Sequence, residues 1–498
     1  MPRRFRTLFV INGLLAGCLA LTACGGGNND DEPGISNPPP PSGPARGALI
    51  ESPPAKLNSY SPATLLGLLG GNDVGKALLQ LAVSPPCSVD VYQLKYGTVG
   101  AKAEATSASG ALMVPNGTDA ACSGPRPILL YAHGTSPDRA YNIADLMDTD
   151  NTEGLAIAAV FAGQGYIVVA PNYAGYDSSS LTYHPYLNAD QQSKDMIDAL
   201  TAARAGLPGT SAGTVTTDSG KLFVTGYSQG GYVAMATHKA LQAAGTTVTA
   251  SAPMSGPYAL SAFGDAIFEG NVSESAPVNL TLLINSYQQA YGNIYTATTD
   301  VFEAKYATGI DTLLPSATGL GDLETQGKIP ASETFSLTPP APEFAAFTPS
   351  TTPAQFAAVF AAGFGANNLI TNAYRLTYLT DAQTAPDGGF PASTDGLPPA
   401  NPTQKLRVAL KTNDLRTWTP NAPVLLCGGN NDPTVFYFNT ELMQSYWTTN
   451  VPTGAVTVLD VDSAVTSGDL YSNIKTAFSA AKDLVRTAAV VGGASDGG

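Results

Sequence analysis

Charge is scarce in this chain. Lys, Arg, Asp and Glu make up 13% of its 498 residues, about half the usual share of ~25%. The balance is acidic, 24 basic against 39 acidic side chains, for a net charge of −15. No basic stripe is available to neutralise phosphates, which excludes nucleic acid as a partner. Histidine is scarcer still, with His133, His184 and His238 the whole complement. Three histidines and no Cys-x-x-Cys pair leave little for a zinc site, so neither metal nor cofactor is expected. Long apolar runs are missing too: the stretch Leu8 to Leu21 is short and broken by Gly13 and Gly17, too little for a membrane span. What is present is apolar bulk. Forty-four percent apolar residues suffice for a large core, and the length suits one big domain with an insertion or two domains.

The N-terminus reads as an export signal. Arg3, Arg4 and Arg6 precede the apolar run, which ends in Leu21-Thr22-Ala23-Cys24. That tetrapeptide resembles the lipobox of bacterial lipoproteins. The resemblance implies a signal peptide over 1–23, acylation of Cys24, and a mature protein exported and held to a membrane by lipid. Residue 25 is Gly rather than Asp, which by the same resemblance removes an inner-membrane retention signal and points to the outer membrane or cell surface. Residues 24–47, with the run Pro38 to Pro41, cannot bury a core and read as a disordered tether. Cys87 and Cys122 flank a strand-like segment and are expected to pair outside the cytoplasm. Cys427 closes an apolar strand and reads as a buried small hydrophobe.

Further along, two alternating segments, Val89 to Leu94 and Ser109 to Val114, predict strands. Buried strand runs follow at Ile128 to Tyr131, Tyr166 to Ala170 and Lys221 to Thr225, with helical patterns at Glu153 to Ala162 and Ala189 to Ala205 between them. This is the signature of a mostly parallel sheet covered by helices on both faces, an α/β fold. The pattern stops near Pro257 and resumes at Pro423 to Cys427 and Val456 to Leu459, with a last helix near Leu470 to Val485. Residues 48–256 and 421–498 are therefore two parts of one sheet domain, and 257–420 an insertion placed as a lid.

One strand runs into Gly226-Tyr227-Ser228-Gln229-Gly230 and then a helix. A serine on such a strained turn projects its hydroxyl above the sheet. The flanking glycines let neighbouring chains pass, and the following helix aims N–H groups at a developing oxyanion. With His133-Gly134-Thr135 after the first central strand and Asn430-Asn431-Asp432-Pro433 after a late one, the sequence resembles the α/β-hydrolase superfamily, and within it the secreted lipases and esterases with a large lid. The resemblance implies Ser228 as nucleophile, Thr135 and Gln229 as N–H donors of the oxyanion hole, and Asp432 as the acid that orients a histidine.

The pattern breaks at that histidine. The resemblance puts it after the last strand, near Asp460 to Gly468, and no histidine follows His238. His238 lies ten residues along the elbow helix, about 15 Å from Ser228 at ~1.5 Å per residue, too far to take its proton. His133 sits where a histidine usually holds the oxyanion loop. His184 lies in a loop at the carboxyl end of a strand, where ligand crevices form, and is the candidate base. A different base, a water-assisted variant or a hydrolase fold without activity are the alternatives. The reading is thus a lipid-anchored serine ester hydrolase for a hydrophobic small-molecule or polymeric ester. Its rivals are an exopeptidase on the same fold and a binding lipoprotein that kept only the elbow.

Overall fold

Nine strands form one sheet in the order β1-β2-β3-β5-β4-β6-β7-β8-β9 in a computed structural model that describes residues 43–71, 73–79, 84–148, 151–210, 216–451 and 455–491. β1 (Ala55–Tyr60), β2 (Ser88–Val99) and β3 (Ala105–Asn116) make an antiparallel meander, and β3 pairs antiparallel with β5 (Ile167–Pro171). From β5 the sheet is parallel through β4 (Gly124–Ala132), β6 (Thr216–Tyr227), β7 (Ala250–Met254), β8 (Val424–Gly428) and β9 (Val456–Asp460). The register aligns Ala132 with Gly226, Gly226 with Pro253, and Met254 with Cys427. Chain segments leaving β4, β6 and β8 therefore meet along one carboxyl edge of the sheet.

Both faces are covered. α4 (Ala189–Thr210) and α5 (Gln229–Ala243) bury one face with Met196, Leu200, Val233 and Leu241. α1 (Pro62–Leu69) and α3 (Thr152–Val160) bury the other with Leu65, Leu69, Leu155 and Ile157. β5 is buried at every position, as a strand between two helical layers must be. α5 ends in a Schellman motif: Gly245, at φ +72°, donates to Gln242 O, and Thr246 donates to Leu241 O.

Between β7 and β8 the chain makes a cap that includes α6 (Leu260–Phe268), α7 (Ala276–Tyr291) and the helices Asn372–Thr384 and Lys405–Thr412. It lies within the same compact unit as the sheet, which spans Pro41–Gly498.

Four expectations need correction or limits. The proposed tether does not extend to residue 47, because Arg46 and Leu49 bridge to Gly97 and Tyr96 of β2 and Arg46 pairs with Asp198 at 3.0 Å. β1 and β7 carry no strand signal in the sequence, yet both lie in the sheet. Cys427 is only partly buried, on β8. The proposed signal peptide, Cys24 and tether residues up to 42 lie outside the described residues. Cys87 and Cys122 do form a disulfide, with Cα atoms 5.3 Å apart.

Candidate active site

Ser228 sits between β6 and α5 at φ 57°, ψ −121°. An L-residue adopts that conformation only when its surroundings impose it, at a cost of roughly 1–3 kcal/mol. Here they do. The Ser228 N–H donates to Met254 O at 3.0 Å, which ties the elbow to β7. A Cβ on Gly230 would stand 1.9 Å from Ala132 O, and one on Gly226 would stand 2.4 Å from Gly230 O. Only glycine lets strand, turn and helix pass this closely.

The hydroxyl-bearing residue opens onto an apolar cavity roofed by the cap. Tyr186, Leu260, Phe263, Ile267, Leu283 and Val435 are among its walls, with Ser228 and Gln229 at its base. Asn279 brings an amide to this lining, where Tyr186 Oη reaches it at 3.4 Å.

The oxyanion side is built from buried polar groups. Among the described residues, the N–H groups of Thr135 and Gln229 are committed to no other partner. Thr135 Oγ1 meets Tyr186 Oη at 3.0 Å, Tyr176 Oη donates to Ser136 O at 2.6 Å, and Tyr173 Oη donates to His133 O at 3.0 Å. His133 lies stacked against Tyr173, its ring nitrogens facing Gly134 O and Asn172 O at 2.6 and 3.1 Å. Burial drives its pKa down to about 4. A neutral ring has one N–H and donates to only one of these two carbonyls; it is wedged among tyrosines at the loop after β4.

Both ring nitrogens of His184 meet groups other than Ser228. Its Nδ1 lies 3.0 Å from Ala174 O and its Nε2 2.7 Å from Gln229 Nε2. The consistent assignment has Nδ1–H donating to the carbonyl and the Gln229 amide donating to Nε2. Both nitrogens are spent, the residue is 2% exposed, and burial drives its pKa down to about 3. Such a ring has no lone pair left for the serine proton. The chain of contacts continues, because the Ala174 N–H donates to Asp195 at 2.6 Å. His238 is remote in role as well as in sequence: Nδ1 meets Ser251 Oγ at 2.8 Å and the ring packs edge-on against Trp418.

The acid side is less enclosed, with Asn430 and Asn431 exposed and Asp432 half-buried. Asp432 Oδ1 accepts the N–H groups of Thr434 and Val435, both at 2.9 Å, and burial raises its pKa against those bonds. The loop after β9, where a histidine is missing, closes on this turn with carboxylates. Asp460 accepts from Asn430, and Asp462 accepts from Asn431 N at 3.1 Å and from Lys482 Nζ at 2.8 Å. The structure thus brings together Ser228, Gln229 and Thr135, sets the Asp432 turn beside them, and leaves all three histidines in other roles. Sequence reading passed over Glu153, whose carboxylate accepts the Gly134 N–H at 3.2 Å. Its only local sign is an acidic residue in the first turn of the helix after the oxyanion loop.

Strand order, elbow and cap define an α/β-hydrolase, and comparisons agree. The model of the prolyl oligopeptidase family matches residues 154–276, from α3 to the start of α7. The rice cell wall degrading esterase LipA from Xanthomonas oryzae is 26% identical, with a TM-score of 0.64 over 89% of this chain and 97% of that one. A hydrolase from Legionella pneumophila shares the fold at 19% identity, with a TM-score of 0.61 over 88% of this chain and 96% of that one. No curated protein matches the chain. The chain is a hydrolase with the α/β-hydrolase fold, similar to an esterase over most of its length and to the prolyl oligopeptidase family over part of it.

Proposed function

We propose that this is an exported, lipid-anchored serine ester hydrolase that cleaves hydrophobic esters through an acyl-enzyme. Ser228 attacks the carbonyl, and the N–H groups of Thr135 and Gln229 receive the developing oxyanion. His184 acts on the reaction only by holding Gln229, a positioning role in place of the base role that the sequence suggests. The observation that carries this reading is the strained Ser228, at φ 57°, opening onto an apolar cavity under the cap. Similarity to the LipA esterase favours esters as the substrate class.

The match to the prolyl oligopeptidase family favours a second reading, a peptidase on the same fold. A peptide terminus needs charged or amide groups to hold it, and Asn279 is a sparse provision in so apolar a lining. Aryl and acyl esters compared with dipeptide amides therefore separate the two, with ester turnover expected to dominate. Ser228→Ala should abolish both turnover and labelling by a fluorophosphonate probe, because the elbow accepts a smaller side chain without unfolding. Retained turnover in the folded variant would remove Ser228 from the mechanism.

A further inference from the structure

With its histidines engaged elsewhere, a serine nucleophile still needs a group to take its proton within hydrogen-bond reach or across one water. Glu153 stands nearest to that need. It lies in the first turn of α3, and its Oε1 accepts the Tyr131 hydroxyl at 2.6 Å. Both carboxylate oxygens share the Gly134 N–H, each at 3.2 Å. A Cβ placed on Gly134 would lie 3.5 Å from Glu153 Oε2, 3.6 Å from Tyr227 O and 3.9 Å from Ser228 Cβ. Oε2 is therefore separated from the elbow by no more than the flank of one glycine.

The loop after β9 leads into the helix Ser472–Val491, which packs on α2 (Asp73–Leu79), and α2 packs on α3. Asp432 Oδ1 is taken by two backbone N–H groups, as Glu153 Oε1 is by Tyr131 and a share of Gly134. Glu153 Oε2 holds only a share of one.

We infer that Glu153 is the proton acceptor for Ser228, directly or across one water. The inference rests on the nucleophile reading above. As Oγ forms its bond to the acyl carbon, the hydroxyl proton passes to Oε2. The protonated carboxyl then gives that proton to the departing alkoxide as the ester C–O bond breaks. In deacylation, water attacks the acyl carbon, its proton passes to Oε2, and the same proton returns to Oγ as the Ser228 ester bond breaks. Water is the co-reactant, and no atom changes oxidation state.

Its surroundings keep this carboxylate basic. Tyrosines face it, Tyr131 on β4, Tyr227 at the end of β6, and Tyr141 and Tyr173 from the adjoining loops, with His133 neutral behind Tyr141 and Tyr173. Burial raises the Glu153 pKa, and the bonds from Tyr131 and Gly134 only partly oppose it. The base form is lost as pH falls through that raised value, so labelling should show an acid limb centred above the ~4.3 of free glutamate.

The test compares the full-length protein with Glu153→Gln, whose amide oxygen can still accept the Tyr131 and Gly134 bonds. A loop-holding role predicts near-normal activity for this variant. A base role predicts fluorophosphonate labelling and ester turnover slower by at least ~10²-fold, with the acid limb gone. Labelling within about threefold of wild type, with the same pH profile, overturns the inference while leaving Ser228 in place. A wild type that never labels overturns the serine-hydrolase reading itself, and this inference with it. Should Glu153→Gln not fold, Tyr131→Phe serves instead. Losing that hydrogen bond should move the acid limb to higher pH, and an unmoved limb counts against Glu153.

Discussion

The inserted cap and the surroundings of the elbow hold several of their buried acids in different ways. In the cap, two arginines each pair with two acids. Arg407 reaches Asp265 and Asp381, each at 2.7 Å, and Arg416 reaches Asp387 at 2.6 Å and Asp414 at 2.9 Å. Burial works against the Arg407 charge, but its hydrogen bonds to two carboxylates outweigh it and hold the pKa above the ordinary value. Around the elbow, acids meet neutral donors instead. Asp195 takes a tyrosine hydroxyl at 2.8 Å and a backbone N–H at 2.6 Å, and burial lifts its pKa to about 7. Glu153 is held in the same style. A carboxylate paired with a guanidinium inside the cap is a staple. One held by hydroxyls and N–H groups has no cation beside it, and Glu153 is such a group next to the elbow.

The largest effect expected from this contrast lies in the cap. Arg416, Asp387 and Asp414 have fully buried side chains. Arg416→Met would leave two carboxylates facing each other without a cation, and breaking such a pair costs roughly 3–5 kcal/mol. Denaturant titration should show that loss as a lower midpoint. A change below about 1 kcal/mol would mean the pairs are not the staples described.

Next comes His184. Its replacement by Ala should leave the Ala174 carbonyl and the Gln229 amide without partners in a buried site, a loss of roughly 1–3 kcal/mol for each unsatisfied group. Freed from its anchor, Gln229 should also misplace the oxyanion N–H, slowing turnover roughly tenfold with KM little changed. Melting and steady-state kinetics read both quantities. Turnover slowed by ~10³-fold or more, with stability intact, would instead mark His184 as the base.

Much of this architecture was legible because it is local. The buried runs of β4, β5 and β6, and the Gly226 to Gly230 turn between strand and helix, carry their own signals. β7 is Ala-Ser-Ala-Pro-Met, without a β-branched residue, and is a strand because β6 and β8 hold it from both sides. β1 is mostly exposed at the sheet edge, so it lacks an apolar stripe to read. The cap staples join residues as far apart as Asp265 and Arg407, 142 positions, which no window of sequence can pair. The place of His184 shows the same limit, because its role depends on Gln229, 45 residues later, which meets the nitrogen that a base would need.

The smallest effect tests the neutral style of the core through pH. His238 is buried with Nδ1 on Ser251 and its ring against Trp418, and burial lowers its pKa to about 4. In the unfolded chain the same group titrates near ~6.5. Between those values the unfolded chain binds a proton that the folded chain refuses. The stability tied to the neutral ring is therefore complete above ~6.5 and drains away as pH falls towards the folded pKa, by at most ~1.4 kcal/mol per pH unit. His238→Phe keeps the aromatic contact and removes the titration, while leaving the Ser251 hydroxyl unpaired at every pH. Its stability relative to wild type should improve by up to about 2 kcal/mol between pH 7 and pH 5, whatever the offset at neutral pH. Paired denaturation curves at the two values measure the difference. If it does not change, His238 accepts its proton in the folded state, and the neutral core does not extend to the far end of the elbow helix.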